Sequence, residues 1–574
     1  MTQQLAQSRD EIVRHISSEL VAKRAAWRDS PSVPGDVGLL FYTSPDDFAE
    51  QATDLRARLR EQFRSAGAEG HAEVLNSLVR VCLGLRSAQA HWSLTNAALH
   101  GGSSVDEKDL VSSAASFLAA LREMCLEDPA PAASVCEQWR GRLAARYRAE
   151  GLDESEAASE GSAFTADGLP SMVEVLASSI SQSNVRRFVQ CGHTEFGNDY
   201  ATCLDYPLLL GASFVTTNPP LVLMALKEGV LPEDELSSLC AKRPPWLSPA
   251  AVATRLAVRQ NAATLRPVFL CSSGKKGYVC LQVDPRYTSA EEMVREALYQ
   301  YGQLRDDLGG VPNVVFKVPA TKAGLDASAV LAEQGIGTTA TVCFGLFQAM
   351  RFAEVMSAGQ ALTSYVVVMN GRLAGPVAEE LDDSLREAGR LAGVAVAKRL
   401  QRALYGSGPA ARGYDPEQVR ILVASLRNHA GAIPDIEETL GVPVITVFPD
   451  IRRAFDASPL RLDAQRVWRP LDEETLRHLA QSEVFRQAHY MPGDPDNLRP
   501  QRPLTLEDDD QVRAWAPVQR TLSQFVEAYA EAEELVQEIA ARRERSPPTS
   551  RGSPLVTRNV RANCRMFAFV LYRR

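Results

Sequence analysis

The chain has 574 residues, a formal net charge of -9, 45% hydrophobic residues and 23% charged residues. This composition is ordinary for a soluble globular protein, and the length is sufficient for two or more domains. The negative charge argues against nucleic acid or an anionic membrane as a partner, and no apolar run reaches the length of a membrane span.

Residues 1–150 carry apolar positions at helical spacing in several successive runs. The segment SPDD at 44–47 is a good helix start, because serine caps the helix and proline suits its first turn. We therefore predict an α-helical N-terminal domain. A role in docking to a partner protein or in forming a homo-oligomer is as consistent with this pattern as a chemical role.

The N-terminal segment MTQQLAQSRDEIVRHISSEL lacks the apolar core of a signal peptide. The ten cysteines are scattered without a C-x-x-C pair, and Cys191, Cys280 and Cys343 lie in apolar, strand-like runs. This pattern predicts buried free thiols in a reducing compartment, and not a disulfide framework or a metal site. The expected location is the cytoplasm.

Residues 151–168 are small, acidic and polar, which predicts an exposed linker. In residues 169–541, strand-like runs alternate with segments that can form helices, of which Asp382–Leu404 has the clearest pattern. The candidate strands are Arg187–Cys191, Ala212–Thr217, Tyr278–Val283, Asn313–Val318, Gly337–Cys343, Ser364–Met369, Arg420–Ser425 and Val444–Phe448. Eight strands with helical crossovers predict an α/β fold, a (β/α)₈ TIM barrel with catalytic residues at the carboxyl ends of its strands.

The C-terminal part of the chain divides into two segments of different character. Apolar residues between Leu522 and Ile539 form one stripe of a long helix that closes the barrel segment. Residues 542–574 contain nine arginines together with prolines and serines, which predicts a disordered basic tail.

One charged residue interrupts the apolar run NVVFKVPAT at 313–321. Desolvating an ammonium group is costly, so Lys317 requires an explanation. Burial lowers the pKa of a lysine and frees its lone pair to attack a carbonyl carbon, which begins Schiff-base catalysis. The alternative is a lysine at a strand end that reaches solvent. The residues of this run alone leave both hypotheses open.

Three separated segments resemble the transaldolase family, in that family's order. They are KVPATKAGLD from Lys317, FVTTNPPL at Phe214–Leu221 and ASLRN at Ala424–Asn428. The resemblance covers Asp167 to Ile539. It implies a transferase or aldolase that moves or cleaves a dihydroxyacetone-type ketol unit of phosphorylated sugars, as in the pentose phosphate pathway. It implies no metal and no organic cofactor, because the lysine imine is the electron sink.

The resemblance also assigns roles to residues near the lysine. Lys317 would form the imine, and Thr341 would help to hold a catalytic water. Gln282 lies where classical transaldolases have glutamate and small fructose-6-phosphate aldolases have glutamine, which holds a water but cannot take its proton. Asn218 matches the asparagine that binds substrate hydroxyls, and Thr339 aligns with an asparagine of the fifth strand. Without the resemblance, Asn218 would suit a turn and Thr341 a plain strand.

Sugar phosphate recognition is implied at the ends of the sixth and seventh predicted strands. Arg372 and Arg427 match the family's two phosphate-binding arginines, and Ser425 matches a serine beside them. The guanidinium group suits phosphate because it can donate two parallel hydrogen bonds.

Besides Thr339, which stands in place of the fifth-strand asparagine, two strand positions depart from the family pattern. The family's first strand carries an aspartate that acts as general acid and base, but the alignment places Cys191 there. His193, Glu195 and Asp199 follow closely and are alternatives. The family serine of the sixth strand aligns with Val367. Losing the acid or base would cost about 10²–10⁴ in rate.

Three functions therefore stay open. The first is an active transaldolase or aldolase. The second is a catalytically weak relative that binds a sugar phosphate or a partner protein, and the third is a lysine enzyme of specialised metabolism with a changed acceptor.

Overall fold

The computed structural model describes residues 7–29, 34–95, 105–165, 167–409, 411–459 and 462–545. The part that precedes the first strand is helical, as predicted. Its helices are α1 (Arg9–Asp29), α2 (Gly35–Val37), α3 (Phe48–Ser65), α4 (Ala68–Thr95), α5 (Glu107–Glu127), α6 (Pro129–Ala149), α7 (Glu154–Thr165), α8 (Gly168–Gln182) and α9 (Asn184–Gln190), with a π-helical segment at Gly38–Tyr42.

Eight parallel strands then close into a barrel in which each strand pairs with its neighbours in sequence and β1 pairs with β8. The strands are β1 (Glu195–Asn198), β2 (Ala212–Val215), β3 (Tyr278–Gln282), β4 (Val314–Pro319), β5 (Thr338–Thr341), β6 (Ser364–Met369), β7 (Val419–Ala424) and β8 (Val444–Val447). Helices connect successive strands. The predicted (β/α)₈ barrel is confirmed.

The remaining helices are α10 (Asp205–Leu210), α11 (Pro219–Lys227), α12 (Glu233–Lys242), α13 (Pro249–Cys271), α14 (Ala290–Leu308), α15 (Lys322–Glu333), α16 (Leu346–Ala358), α17 (Asn370–Glu380), α18 (Ala392–Tyr405), α19 (Pro434–Glu437), α20 (Pro449–Asp456), α21 (Glu473–Leu479), α22 (Glu483–His489), α23 (Asp509–Ala514) and α24 (Ala516–Arg545). Short 3₁₀ helices lie at Arg386–Leu391, Arg466–Trp468 and Asp496–Leu498. Within the described ranges, no helix is long and apolar enough to cross a membrane.

The predicted first strand is wrong. Residues 187–190 lie in helix α9, and β1 begins only at Glu195. The Ser183 hydroxyl caps α9 by accepting a hydrogen bond from the backbone nitrogen of Arg186. Val185, Phe188 and Val189 are all buried, and their spacing is that of one helix face. The apolar residues of this segment follow a helical period, which the strand prediction overlooked.

Two further segments differ from the prediction. Residues 154–165, predicted to be an exposed linker, form helix α7, whose Ala157, Gly161 and Thr165 are buried. A side chain at Gly161 would approach the Arg140 carbonyl oxygen at 2.9 Å, so glycine permits close packing against α6. The predicted helix Asp382–Leu404 is a 3₁₀ helix followed by α18. The domain boundaries themselves stay a prediction.

Helix α1 covers part of the amino end of the barrel. The Arg9 guanidinium donates a hydrogen bond to the carbonyl of Ala361, just before β6. Glu19 forms an ion pair with Arg266 of α13, and both side chains are largely buried. Ile12 and Ile16 belong to the same apolar core as the strands. The amino end is therefore partly closed by the helical region.

Helix α24 runs past the carboxyl ends of β3 and β6. Its Phe525 ring faces Arg372 after β6, and its Glu533 pairs with Arg286 after β3. Buried Phe525 and Tyr529 continue the predicted apolar stripe. Residues 542–545 of the predicted tail belong to this helix, and residues 546–574 lie outside the described residues.

Candidate active site

Lys317 lies on β4, two residues before its carboxyl end, and is only 5% exposed. Its Nζ donates a hydrogen bond of 3.1 Å to the carbonyl oxygen of Thr217, which follows β2. Burial lowers the pKa of Lys317, and nearby Arg372 lowers it further, against the opposing effects of Cys280 and Asp199. The lysine therefore does not reach solvent freely, and its amine loses its proton more readily than an ordinary lysine.

The register of the sheet places two polar residues beside the lysine. Gln282 on β3 and Thr339 on β5 are its direct partners on the two flanking strands. Paired residues of parallel strands project to the same side of a sheet, so all three side chains share one face. Thr341 lies two residues beyond Thr339 on that face. The buried Gln282 Oε1 and Thr341 Oγ1 have no hydrogen-bond partner within the described structure.

Asp199 directly follows β1, at the carboxyl end of the barrel. The Thr216 hydroxyl donates a hydrogen bond of 2.5 Å to Asp199 Oδ1, and lies 3.0 Å from the hydroxyl of Thr446. The Asp199 backbone nitrogen donates to the carbonyl of Val447 on β8. The charge of Asp199 raises the pKa values of both Lys317 and Arg372, so the carboxylate lies close to both cations.

The three other candidates for the acid or base lie elsewhere. Glu195 begins β1, at the amino end, and its carboxylate accepts hydrogen bonds from Arg420 and Ser213 at 2.5 and 2.8 Å. Burial would raise the pKa of Glu195, but the charges of Arg420 and Lys276 together lower it.

Cys191 and His193 are exposed in the turn before β1. Cys280 and Cys343 are buried free thiols as predicted, whereas Cys191 is not buried. The assignment of Cys191 to the position of the first-strand acid is therefore wrong.

Asn218 caps helix α11. Its side-chain oxygen accepts a hydrogen bond of 3.0 Å from the backbone nitrogen of Leu221. This geometry agrees with the turn that we gave as the alternative to a substrate-binding role for Asn218. The cap uses the side-chain oxygen and leaves the side-chain nitrogen out of this hydrogen bond, so capping does not exclude a contact with substrate.

The loops after β6 and β7 bring two arginines together. Gly371 donates a hydrogen bond of 3.1 Å to the carbonyl of Ser425, and a side chain at Gly371 would approach that oxygen at 2.3 Å. Only glycine allows this contact, which places Arg372 beside Arg427. Ser425 adopts a φ of 61°, an unusual backbone conformation for a residue other than glycine.

The environment of these arginines suits an anion. Burial lowers the pKa of Arg372, and the charge of Arg427 lowers it further. The Arg372 side chain contacts the neutral Gln524 and Phe525 of α24. The exposed Arg427 donates to the backbone carbonyls of Ser425 and Leu426. Neither guanidinium forms a direct ion pair in the described structure, so the hydrogen-bond donors of both remain available to an anion bound between them.

Sequence reasoning missed several residues of this site. Thr216 orients Asp199, Asp435 accepts a hydrogen bond from the Arg427 backbone nitrogen, and Gln524 contacts Arg372. No local pattern marks these contacts, because they join residues 8, 17 and 152 positions apart that lie on different elements of the fold. Val367 is buried on β6 and supplies no polar group there. Among the described residues, no group of three or more His, Cys, Asp or Glu residues is placed to hold a metal ion.

Comparisons with known proteins agree with this geometry. Residues 209–490 match the family described as transaldolase/fructose-6-phosphate aldolase. The chain is 35% identical over 144 residues to transaldolase 1 of Streptomyces avermitilis, which covers 25% of this chain and 36% of that protein. It is 36% identical over 145 residues to the transaldolase of Mycobacterium tuberculosis, covering 25% and 37% of the two chains.

These matches cover part of the site and part of the relatives. The aligned segment spans little more than a third of the length of the curated relatives. The family match includes β2 to β8 and excludes β1, Asp199 and helix α24.

Proposed function

We propose that the protein transfers or cleaves a ketol unit of phosphorylated sugars through a Schiff base on Lys317, because residues 209–490 match the transaldolase/fructose-6-phosphate aldolase family. The observation that carries this proposal is a buried amine whose pKa is affected by a carboxylate at the same end of the barrel. Lys317 provides the amine on β4, and Asp199 provides the carboxylate after β1.

Imine formation begins with the uncharged Lys317 amine. Its nitrogen attacks the ketose carbonyl carbon and forms a C–N bond, and the carbonyl oxygen takes a proton to give a carbinolamine. Loss of water then gives the imine. Gln282 and Thr341 have unpartnered oxygens near the lysine and are suited to hold this water. Neither can act as its base at neutral pH, because an amide and a hydroxyl are too weakly basic.

Carbon–carbon cleavage requires a base for the substrate's C4 hydroxyl. The Asp199 carboxylate takes that proton, the C3–C4 bond breaks, and its electron pair moves towards the imine nitrogen to give an enamine. The aldehyde fragment leaves. In transfer, the enamine carbon attacks an acceptor aldehyde, and Asp199 returns the proton to the new hydroxyl. In simple cleavage, the enamine carbon is protonated and water hydrolyses the resulting imine.

Arg372, Arg427 and Ser425 would bind the substrate phosphate, whereas Asn218 and Thr339 would contact its hydroxyls. The two arginines support this assignment because, in the described structure, the hydrogen bonds of their guanidinium groups go to a neutral side chain and to backbone carbonyls and not to a carboxylate. A phosphate held there would fix the far end of the sugar while its carbonyl carbon reaches Lys317.

Trapping the imine tests the proposal. Protein incubated with fructose 6-phosphate and sodium borohydride should gain the mass of one reduced ketol unit, which peptide mapping places on Lys317. The matched control is Lys322→Met, because Lys322 lies five residues away and forms a surface ion pair with Asp326. Lys317→Met should abolish the adduct and Lys322→Met should not. An adduct that survives Lys317→Met, or no adduct on the unaltered protein, would refute the proposal.

The alternative of a catalytically weak binding protein was suggested by the apparent loss of the first-strand acid. The acid seemed to be missing because the first strand was predicted at Arg187–Cys191. Strand β1 begins at Glu195, and the carboxylate of Asp199 lies at its carboxyl end. The retained carboxylate favours an active enzyme. Docking or oligomerisation through the helical region stays a prediction.

A further inference from the structure

Asp435 is a buried carboxylate that the reaction above does not use. It lies in α19 and is 1% exposed. Its Oδ2 accepts a hydrogen bond of 2.9 Å from the backbone nitrogen of Arg427. Burial raises the pKa of Asp435 to about 6, although Arg427, the charged group that acts on it, opposes this effect. A buried carboxylate is costly to keep, so its contact with this loop needs an explanation.

The loop that carries Arg427 is fixed at two backbone positions. Gly371 donates to the carbonyl of Ser425, and Asp435 accepts from the nitrogen of Arg427. The Arg427 side chain itself is exposed, and within the described residues its hydrogen bonds go to carbonyls of its own loop. Its guanidinium is therefore positioned by the two backbone anchors, together with the close approach of its aliphatic stem to Gly371.

A second residue connects Asp435 to the other arginine. Asn370, which immediately precedes Gly371, lies beside the Asp435 carboxylate. Both polar atoms of its side chain are buried, as is Asp435 Oδ1, and hydrogen bonding from the Asn370 side chain lowers the pKa of Asp435 against the effect of burial. The carboxylate thus lies between the loop after β7 and the start of the helix that carries Arg372.

We propose that Asp435 is a positioning residue for phosphate recognition, which holds the loop after β7 so that Arg427 lies beside Arg372. This inference rests on the proposed function of the two arginines. It assigns to Asp435 no contact with the substrate and no proton transfer.

The test compares three variants. Asp435→Ala removes the acceptor, and Asp435→Asn keeps an acceptor oxygen while removing the charge. Asp456→Ala is the matched control, because Asp456 is also a partly buried carboxylate that accepts backbone hydrogen bonds, here from Asn184 and Val185 at the amino end of the barrel. Each variant is assayed with fructose 6-phosphate and with unphosphorylated dihydroxyacetone as ketol donors.

Asp435→Ala should raise the ratio of KM for fructose 6-phosphate to KM for dihydroxyacetone about tenfold or more. This is the change expected for losing one charge-assisted hydrogen bond. Asp435→Asn should recover most of this loss, and Asp456→Ala should leave the ratio of the two KM values unchanged. Hydrogen exchange supplies a readout without substrate, because the Arg427 amide should lose protection in Asp435→Ala and retain it in Asp456→Ala.

Two outcomes would overturn the inference. One is an unchanged ratio of the two KM values in Asp435→Ala, and the other is retained protection of the Arg427 amide in that variant. Failure of the proposed function is distinguishable, because the unaltered protein would then form no borohydride-trapped adduct on Lys317.

The pH dependence of KM for fructose 6-phosphate distinguishes protonation of the Asp435 carboxylate from protonation of the substrate phosphate. Lowering the pH through about 6 protonates Asp435, which keeps an acceptor oxygen but loses its charge, so KM for fructose 6-phosphate should rise by no more than the small difference between the unaltered protein and Asp435→Asn. The substrate phosphate also titrates near pH 6. Phosphate titration affects the unaltered protein and Asp435→Asn alike, so it cancels when the KM of one is divided by the KM of the other. This quotient should still change as the pH is lowered through about 6, because only the unaltered protein has a carboxylate to protonate. A constant ratio would contradict the inference.

Discussion

The Arg372 guanidinium donates a hydrogen bond of 2.5 Å to the side-chain oxygen of Gln524. This contact joins the first turn of helix α17, directly after β6, to helix α24, and the Phe525 ring faces the same guanidinium at 5.5 Å. Gln524 is neutral, so it orients Arg372 without forming an ion pair with it. The guanidinium therefore remains able to form an ion pair with a bound anion.

We expect Arg372→Ala and Arg427→Ala to weaken binding of fructose 6-phosphate by about 1.5–3 kcal/mol each, the usual value for a hydrogen bond to a charged group. KM for dihydroxyacetone should change little, because this donor has no phosphate. The control is Arg520→Ala, which removes an exposed arginine of α24 that pairs with Glu379. Equal losses for both donors would indicate a structural role for Arg372 and Arg427.

Gln524→Glu should weaken the binding of fructose 6-phosphate more than Gln524→Ala does. The alanine variant only loses a contact that orients Arg372, whereas the glutamate variant places a carboxylate beside the guanidinium and competes with the phosphate. Steady-state kinetics at low and moderate ionic strength measure the difference, which salt should reduce. If both variants bind the substrate alike, Gln524 does not control the charge of the phosphate site.

Asp199→Asn should form the Lys317 imine but turn over about 10²–10⁴ times more slowly, because the substrate hydroxyl then lacks its base. Mass spectrometry of the trapped adduct and a coupled assay for released aldehyde measure the two steps separately. Cys191→Ala and His193→Ala are the controls, since both residues are exposed at the opposite end of the barrel. Turnover that survives Asp199→Asn would assign the base elsewhere.

Several strands could be predicted from sequence because most of their residues are apolar. The runs at Val314–Pro319, Ser364–Met369 and Val419–Ala424 are fully buried, as expected for parallel strands covered on both faces. Strand β1 is also fully buried, but its sequence EFGN contains one large apolar residue. No hydrophobic pattern marks such a strand, so its position could not be deduced from composition.

A visible sequence pattern also decides which site residues could be identified from the sequence. Lys317 interrupts an apolar strand and is therefore conspicuous in the sequence. Asp199 could be chosen among its alternatives only once β1 was located. Asp435 and Gln524 act through contacts with Arg427 and Arg372 that depend on how distant segments pack. Side-chain to backbone hydrogen bonds of this kind leave no spacing rule in the sequence.

The lowered pKa of Lys317 predicts a stability cost that depends on pH. The unfolded chain binds a proton at this lysine more tightly than the folded one, since burial lowers the pKa of Lys317 in the folded state below that of an ordinary lysine. The cost is fully present below the folded pKa and disappears as pH rises towards the unfolded value. Lys317→Met should therefore raise the melting temperature at neutral pH, and the gain should shrink as the pH approaches about 10.

Thermal unfolding of both proteins across this pH range measures the effect. A gain that is independent of pH would show that methionine stabilises by packing alone. Lys322→Met is the control, because Lys322 lies on the surface in an ion pair with Asp326. Its effect should not follow the pattern of a buried lysine.

The ion pair between Glu19 and Arg266 predicts that the helical region stabilises the barrel. Arg266 also donates to the carbonyl of Val311 and to Asn313 at the start of β4, so its guanidinium is anchored in the barrel wall. Glu19→Gln removes the charge that balances this largely buried cation. We expect a loss of about 1.5–3 kcal/mol in the free energy of unfolding, the range for a hydrogen bond to a charged group.

The matched control is Glu379→Gln, which breaks a two-pronged Glu–Arg pair with Arg520 whose side chains are both more than half exposed. Because solvent screens exposed pairs, this variant should lose little stability. Chemical denaturation of the full chain measures both variants. If Glu19→Gln is as stable as Glu379→Gln, helix α1 rests on the barrel without supporting it, and the barrel would be expected to survive removal of the preceding helices.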